Sequence, residues 1–353
     1  MTIPTEPIGS IPRPPELLAI QRDFRSGRAT CEQVAAAAES ALRDTVRRFE
    51  DTGSPVISDG EQTKPSFATY PLQELPNIAP DGVAIAFADG HARRLPRLTA
   101  GPFRYSTHAD RYVQAARRHA RVPVKQAVVA ASALSLIYPS EGLAGYDRET
   151  FLADLVGEVV LDIRRCLDAG AHCVQIDFTE GRLSVKLDPS KRLLREFIEL
   201  NNRVLDHFTP AQRRRIGVHT CPGGDCDSTH SADVDYAELL PSLLDLRAGN
   251  FYVQMASEKD PDRALAIIRR HLRPEQRIFV GVIDVLDPRI EDPETVRDRV
   301  VKAADYIPVD QLGTTDDCGF SPFEDDSSTG RDTAFGKIRA RVRGTQLAEQ
   351  VLT

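Results

Sequence analysis

With 353 residues, 41% hydrophobic and 27% charged, the chain has the composition of a globular protein with ample apolar material for a core. Its formal net charge of -7 argues against a nucleic-acid partner, because phosphate binding needs a concentrated basic surface. No apolar run approaches the ~20 residues of a membrane span, and the first six residues, MTIPTE, lack the basic-then-apolar pattern of a signal peptide. A cytoplasmic protein without a membrane partner is expected, and its six widely spaced cysteines are expected to be reduced.

In chain order, residues 8–11 read as a short apolar entry before a proline-punctuated loop, and residues 15–27 as helical. Residues 31–52 form a long amphipathic helix, with Val34, Ala38, Leu42 and Val46 at helical spacing. Residues 55–61 are a second short strand, ending in Asp59, Gly60 and Glu61. The segment 62–121 breaks the rhythm. Alternating residues around Asp89-Gly90 predict a β-hairpin inserted over the barrel mouth, followed by a helix near 110–120. Strands then follow at 124–130, 173–177, 216–221, 250–254, 278–284 and 311–316. Helices are expected at 148–169, 193–207, 236–244, 261–271, 294–304 and 331–347.

Eight short apolar strands, each followed by helical material, imply a closed parallel sheet: a (β/α)8 TIM barrel of the α/β class. The expectation is one catalytic domain over residues 1–353, with the hairpin insertion at about 62–121 between strands 2 and 3. No glycine-rich dinucleotide fingerprint follows an early strand, so a doubly wound sheet has less support. The basic pairs and triplets, such as Arg117-Arg118 and Arg213 to Arg215, read as solvated helix faces.

Barrel chemistry happens where the strands end. Ser10, Asp59, Glu61, Asp177, His219, Cys221, Gln254, Asp284, Asp316 and Cys318 all fall at such ends. His219 and Cys221 are two residues apart and so point the same way from an extended strand. With Cys318 from the last strand they make a His/Cys/Cys set with one position open, the arrangement of a catalytic Zn2+ site. Cys226 is either a further ligand or a loop thiol. Cys166 and Cys173 read as buried, inert thiols. Asp177 and Glu61 also admit a plainer role as helix caps or partners of arginines.

The stretches Ile8-Gly-Ser-Ile-Pro-Arg13, Ser58-Asp-Gly-Glu61, Gln175-Ile-Asp177, His219-Thr-Cys221 and Asp317-Cys318-Gly, taken in order, resemble the catalytic C-terminal barrel of cobalamin-independent methionine synthases and their short single-barrel relatives. The resemblance runs from about residue 8 to residue 347. It implies methyl transfer to a zinc-bound thiolate, with homocysteine as the small-molecule thiol and a methyltetrahydrofolate-type compound or a methyl-carrying protein as donor. His219, Cys221 and Cys318 match the zinc ligands, and Ser10, Glu61 and Asp177 match positions that hold the amino-acid substrate.

Three departures stand out. The family's fourth ligand is a glutamate where this chain has Gln254, with Glu258 a possible substitute. A proton-transfer histidine after the seventh strand has no counterpart, leaving Asp287 or another acid, Asp177 included, to serve. The N-terminal barrel of the long enzymes has no counterpart in the given chain. An alternative keeps the zinc thiolate but opens an epoxide with it, as the related epoxyalkane:coenzyme M transferases do, using Arg13 and Arg182 for a sulfonate. A non-catalytic barrel with structural zinc is the alternative of another class. Nothing in the sequence sets an oligomeric state.

Overall fold

The computed structural model describes residues 2–352. Its centre is a six-stranded parallel sheet of β1 (Gln126–Val129), β2 (Val174–Asp177), β3 (Ile216–Thr220), β4 (Asn250–Val253), β5 (Arg277–Ile283) and β6 (Leu312–Asp316), paired in that order. Every residue of these strands is buried except Arg277, which is why they read as unbroken apolar runs rather than alternating ones. Single parallel bridges close the ring. Thr5 pairs with Thr314 beside β6, and Ile57 pairs with Val124 just before β1. Between these two segments, the Ile11 N–H donates to the Gly60 carbonyl at 3.0 Å.

The first two strands are thus shorter than the sequence suggests, and the first lies earlier, at Thr5 rather than at 8–11. Pro4, Pro7, Pro12 and Pro14 supply no N–H for a ladder. In the second segment, Gly60 at φ +63° and Glu61 at φ +56° turn the chain out of the extended conformation.

Helices α1 (Pro15–Arg25), α2 (Cys31–Asp51), α3 (Asp110–Arg117), α4 (Arg148–Asp168), α5 (Arg192–Leu205), α6 (Pro261–His271), α7 (Pro293–Ala304) and α8 (Arg331–Leu352) cover the sheet. The N-terminus of α2 is set by a capping box in which the Thr30 side chain and Gln33 satisfy each other's backbone N–H. The expected helix at 236–244 is broken into Tyr236–Glu238 and Leu240–Leu243, with Pro241 in the first turn of the second piece. No helix of the described residues is long and apolar enough to cross a membrane.

The inserted hairpin is present. Residues 84–86 pair antiparallel with 92–94 across an Asp89-Gly90 turn in which Gly90 has φ +95°. A further two-residue antiparallel pair, Ile78–Ala79 with Arg97–Leu98, flanks it inside the expected 62–121 insertion.

The far end of the last strand is anchored from outside. Arg341 of α8 is fully buried and donates to Asp316, whose side chain is 1% exposed. Removing one member of such a pair leaves the other charge buried and uncompensated. Arg341→Met is expected to cost roughly 3–5 kcal/mol, measured as a lower urea midpoint, and adding Asp316→Leu is expected to recover most of that loss. An unchanged midpoint in the single variant would show that the pair does not hold β6.

Candidate functional site

The strand ends meet at the C-terminal mouth of the barrel. In β3 the pleat turns His219 to the same side as Cys221, and the neighbouring strands fix the register, with Asp177 and Tyr252 each level with His219. From across the closed ring, the loop after β6 brings Cys318 to the same point. One ligand atom from each of His219, Cys221 and Cys318 lies within 4.8 Å of the others, and all three residues are buried.

The details suit a cation. His219 Nδ1 lies 3.3 Å from the Tyr252 carbonyl, so the proton belongs on Nδ1 and the lone pair on Nε2. That Nε2 is buried without a hydrogen-bond partner. The two sulfurs are 3.1 Å apart, free rather than bonded. The hydrogen bond between them holds the Cys221 thiol below its ordinary range, burial opposing and the N–H groups of Gly223 and Gly224 assisting. The same contact, with burial, pushes Cys318 far up. Two sulfurs in contact beside a bare imidazole nitrogen are a donor set that fits zinc.

Gln254, 4% exposed, lies one residue past β4. Its amide nitrogen donates to Ser257 Oγ at 2.7 Å, and Ser257 Oγ donates in turn to Asp317 at 2.6 Å. Asp317 also accepts the N–H groups of Met255, Ala256 and Ser257. This network fixes the amide and leaves Gln254 Oε1 buried without a partner. Glu258 does not stand in for it, because its carboxylate holds Arg182 at 2.7 Å.

A cavity of about 380 Å³ opens above this group. Its floor includes Ser10, Glu61, Asp177, His219 and Cys318. Glu61 is ion-paired to the fully buried Lys64 at 3.0 Å. Asp177 is pushed up to about 6, burial outweighing the attraction of His219, and it accepts a hydrogen bond from Gln175 at 2.7 Å. Ser10 Oγ accepts the Ser321 N–H at 3.1 Å, which leaves its own proton free. The roof comes from the inserted hairpin and neighbouring loops, with Phe67, Ile85, Phe87, Leu95 and Phe323.

Two expected residues do not belong here. Arg13 is not on the cavity. Its guanidinium donates to the carbonyls of Glu61, Lys64, Ser321 and Phe323 and so ties three mouth loops together instead of meeting a substrate. Asp287 is also away from the cavity and grips Arg289 with both oxygens, which keeps it ionised well below the usual carboxylate range. It therefore carries no proton to give at neutral pH. Cys226 sits apart with Asp225 and Asp326, and its thiol is pushed up to about 12, chiefly by burial.

Sequence reasoning found the roof hairpin but missed the aromatic residues that line it, as well as Lys64 and His230. The last lines the cavity. Its ring packs so tightly over Gly223 that a Cβ there would lie 1.7 Å from Nε2, and Gly223 itself has φ +72°. The pair Gly223 and His230, seven residues apart in a glycine-rich loop, was the available signal.

Fold and donor set together define a barrel with a thiol-rich candidate metal site at its mouth. The sequence matches the family described as cobalamin-independent synthase, catalytic domain, over residues 3–329, and the chain belongs to that family. It is 24% identical over 327 residues to a 5-methyltetrahydropteroyltriglutamate–homocysteine methyltransferase of Nitratidesulfovibrio vulgaris, covering 92% of this chain and 39% of that protein. It thus spans about two fifths of that relative. It is 20% identical over 355 residues to a methionine synthase of Pyrococcus horikoshii, covering 99% of this chain and 94% of that one. Among solved structures, a B12-independent methionine synthase from Shewanella sp. W3-18-1, in complex with selenomethionine, superposes with a TM-score of 0.77 at 20% identity, over 100% of this chain and 99% of that one. A putative counterpart from Listeria monocytogenes gives 0.74 at 20% identity, over 98% of each chain.

His230 also gives a pH signature. Burial, with Lys186 nearby, lowers its imidazole from the ordinary 6.5 to about 4. A base whose pKa is depressed by folding binds protons more readily when unfolded. Its contribution is therefore intact above about pH 6.5 and is lost as the pH falls toward 4, by roughly 2–3 kcal/mol. Urea titrations at pH 7 and pH 4 should show a smaller drop for His230→Gln than for wild type. Equal drops would contradict this.

Proposed function

We propose that the chain is a zinc-dependent methyltransferase whose acceptor is a small thiol, homocysteine, yielding methionine. The observation that carries this reading is the bare, buried Nε2 of His219 beside the paired sulfurs of Cys221 and Cys318, on the floor of a cavity that also presents two carboxylates and a hydroxyl. The names and coverage of the relatives support it. His219, Cys221 and Cys318 would hold the zinc, with the orphaned Gln254 oxygen as the candidate fourth donor. When bound, zinc supplies the charge that keeps a thiol of ordinary pKa near 8.5 as its nucleophilic thiolate at neutral pH.

The remaining work falls to the chain. Asp177 and Glu61 take the acceptor's ammonium. Lys64 offsets the charge of Glu61, and Asp177 adds a second carboxylate, so an amino group is favoured over a second anion. Ser10 donates its hydroxyl proton to the acceptor's carboxylate. The apolar roof keeps water away from the sulfur, which strengthens each of these contacts. In this reading the chain acts as one catalytic domain, with the 62–121 insertion serving as its roof. Six free cysteines, two of them required as thiols, suit a cytoplasmic, reducing setting.

The epoxide-opening alternative loses its sulfonate site, because Arg13 is spent on backbone carbonyls and Arg182 on Glu258. A purely structural zinc is disfavoured by the cavity that opens onto the centre and by the separation of Cys226 from it.

Metal analysis after dialysis is expected to find one zinc per wild-type chain and less than about a tenth of that in Cys221→Ser and in Cys318→Ser, given ligand contributions of this kind. Homocysteine methylation should be lost in parallel. Full metal content in both variants would remove the ligand assignment.

A further inference from the structure

Among the described residues, two imidazoles line the cavity, His219 and His230. His219 belongs to the candidate metal site, which leaves His230 without a task. Its place is set from two directions. On one side the ring rests on Gly223, where a Cβ would lie 1.7 Å from Nε2, and the Gly223 N–H donates to Cys221 Sγ at 3.4 Å. On the other, Phe87 of the roof hairpin meets the ring edge to face at 5.4 Å between centroids. The backbone is held as well, since Lys186 Nζ donates to the His230 carbonyl at 2.9 Å. The imidazole is therefore fixed between the sulfur-bearing loop and the roof. With the acceptor's polar end at Ser10, Glu61 and Asp177, this is the wall that a second compound meets.

The partner of the ring suits a group that changes charge. Nδ1 lies 2.7 Å from Ser231 Oγ, and among the described residues the ring bonds to no carboxylate. A hydroxyl donates to Nδ1 while the ring is neutral and rotates to accept from it once the ring is charged. A carboxylate would instead hold the proton in place. Burial and Lys186, opposed by Asp233, keep the free ring neutral at pH 7, so a proton it picks up is readily passed on.

A methyl group that leaves an amine nitrogen leaves its electron pair there, and that nitrogen needs a proton as the bond breaks. Asp177 is the other candidate acid on the cavity, its carboxyl pushed up to about 6 by burial. It stands level with His219 in the sheet register, on the floor, where it serves the acceptor's ammonium.

We propose that His230 carries a solvent proton to the nitrogen that gives up the methyl group, the donor being a tertiary N-methylamine. The proposal rests on the acceptor reading above and adds a catalytic residue to the same site. The acceptor thiol has already released its proton to solvent. Its thiolate forms the new S–C bond, and the donor's N–C bond breaks with the electron pair staying on nitrogen. That nitrogen takes the Nε2 proton of the charged ring and leaves as a neutral secondary amine. His230 returns to its neutral form and draws the next proton from solvent.

The test uses the zinc-loaded full chain with homocysteine and methyl-labelled 5-methyltetrahydrofolate carrying one or three glutamates. Labelled methionine is read by mass spectrometry, and homocysteine binding is read separately by calorimetry. His230→Ala is expected to lower kcat roughly a hundredfold or more, and added imidazole to recover about tenfold or more of that loss. Homocysteine affinity should stay within about twofold of wild type. His230→Gln, which keeps a hydrogen bond but carries no proton, should be as slow as His230→Ala and gain nothing from imidazole. Asp177→Asn should lose homocysteine affinity instead. The proposal is overturned by a kcat within about threefold of wild type in His230→Ala, by a loss that imidazole leaves unchanged, or by full activity in His230→Gln. Asp177→Asn that binds homocysteine normally yet loses kcat would move the proton to Asp177. Transfer from neither folate by wild type that binds homocysteine removes the amine donor and the relay with it. Absence of homocysteine binding in wild type defeats the acceptor reading itself.

Discussion

The mouth of this barrel depends on the pleat of one strand. Because β3 is extended through Thr220, His219 and Cys221 emerge on one side, and a slip of a single residue would turn both away. The register is held by packing as well as hydrogen bonds. Gly217 lies so close to the Tyr252 ring that a Cβ would meet it at 2.4 Å, and no other residue type fits there without moving β4. Cys318 arrives from 97 residues further along the chain only because the sheet closes. Asp316 before it is gripped by Arg341, and Asp317 beside it gathers three backbone N–H groups and a hydroxyl. The reactive centre is therefore a product of closure, not of any local motif.

Electrostatics then divides the cavity. Its floor concentrates polar groups that are each tied from behind: Glu61 by Lys64, Asp177 by Gln175, Ser10 by the Ser321 N–H. Tying them from behind leaves one acceptor or donor atom of each toward the ligand and limits the reorganisation needed on binding. The roof has the opposite character. It is largely apolar toward the cavity, and it is fastened by charge, with Arg93 and His91 both reaching the buried carboxylate of Asp225. Asp225 lies four residues after Cys221, so the covering hairpin and the sulfur-bearing loop are joined by the same charge.

Much of this was legible in the chain, for identifiable reasons. Buried parallel strands are apolar throughout, so the polar residue that ends each one stands out, and His219, Cys221, Cys318, Glu61 and Asp177 were found that way. The Asp89-Gly90 turn announced the roof hairpin because few other dipeptides accept its backbone angles. What stayed hidden was partnership. Arg13 looked available for a substrate, but both of its terminal nitrogens are spent on four carbonyls, and carbonyls leave no mark in a sequence. Asp287 looked like an acid near the right strand, yet Arg289 two residues on holds it ionised. The first two strands shrank to single bridges because prolines and left-handed residues interrupt their ladders, although their apolar residues read as strands. The aromatic roof was invisible for another reason: Phe67, Phe87 and Phe323 come from three separated segments that only the fold assembles.

The central claim is that one imidazole nitrogen and two distant sulfurs share a zinc ion that an acceptor thiol joins. Zinc-edge X-ray absorption of the loaded chain, recorded with and without homocysteine, measures this directly. The account predicts two sulfur neighbours at about 2.3 Å with nitrogen or oxygen completing four, rising to three sulfurs when homocysteine is added. A shell without sulfur, or one that homocysteine leaves unchanged, would contradict it.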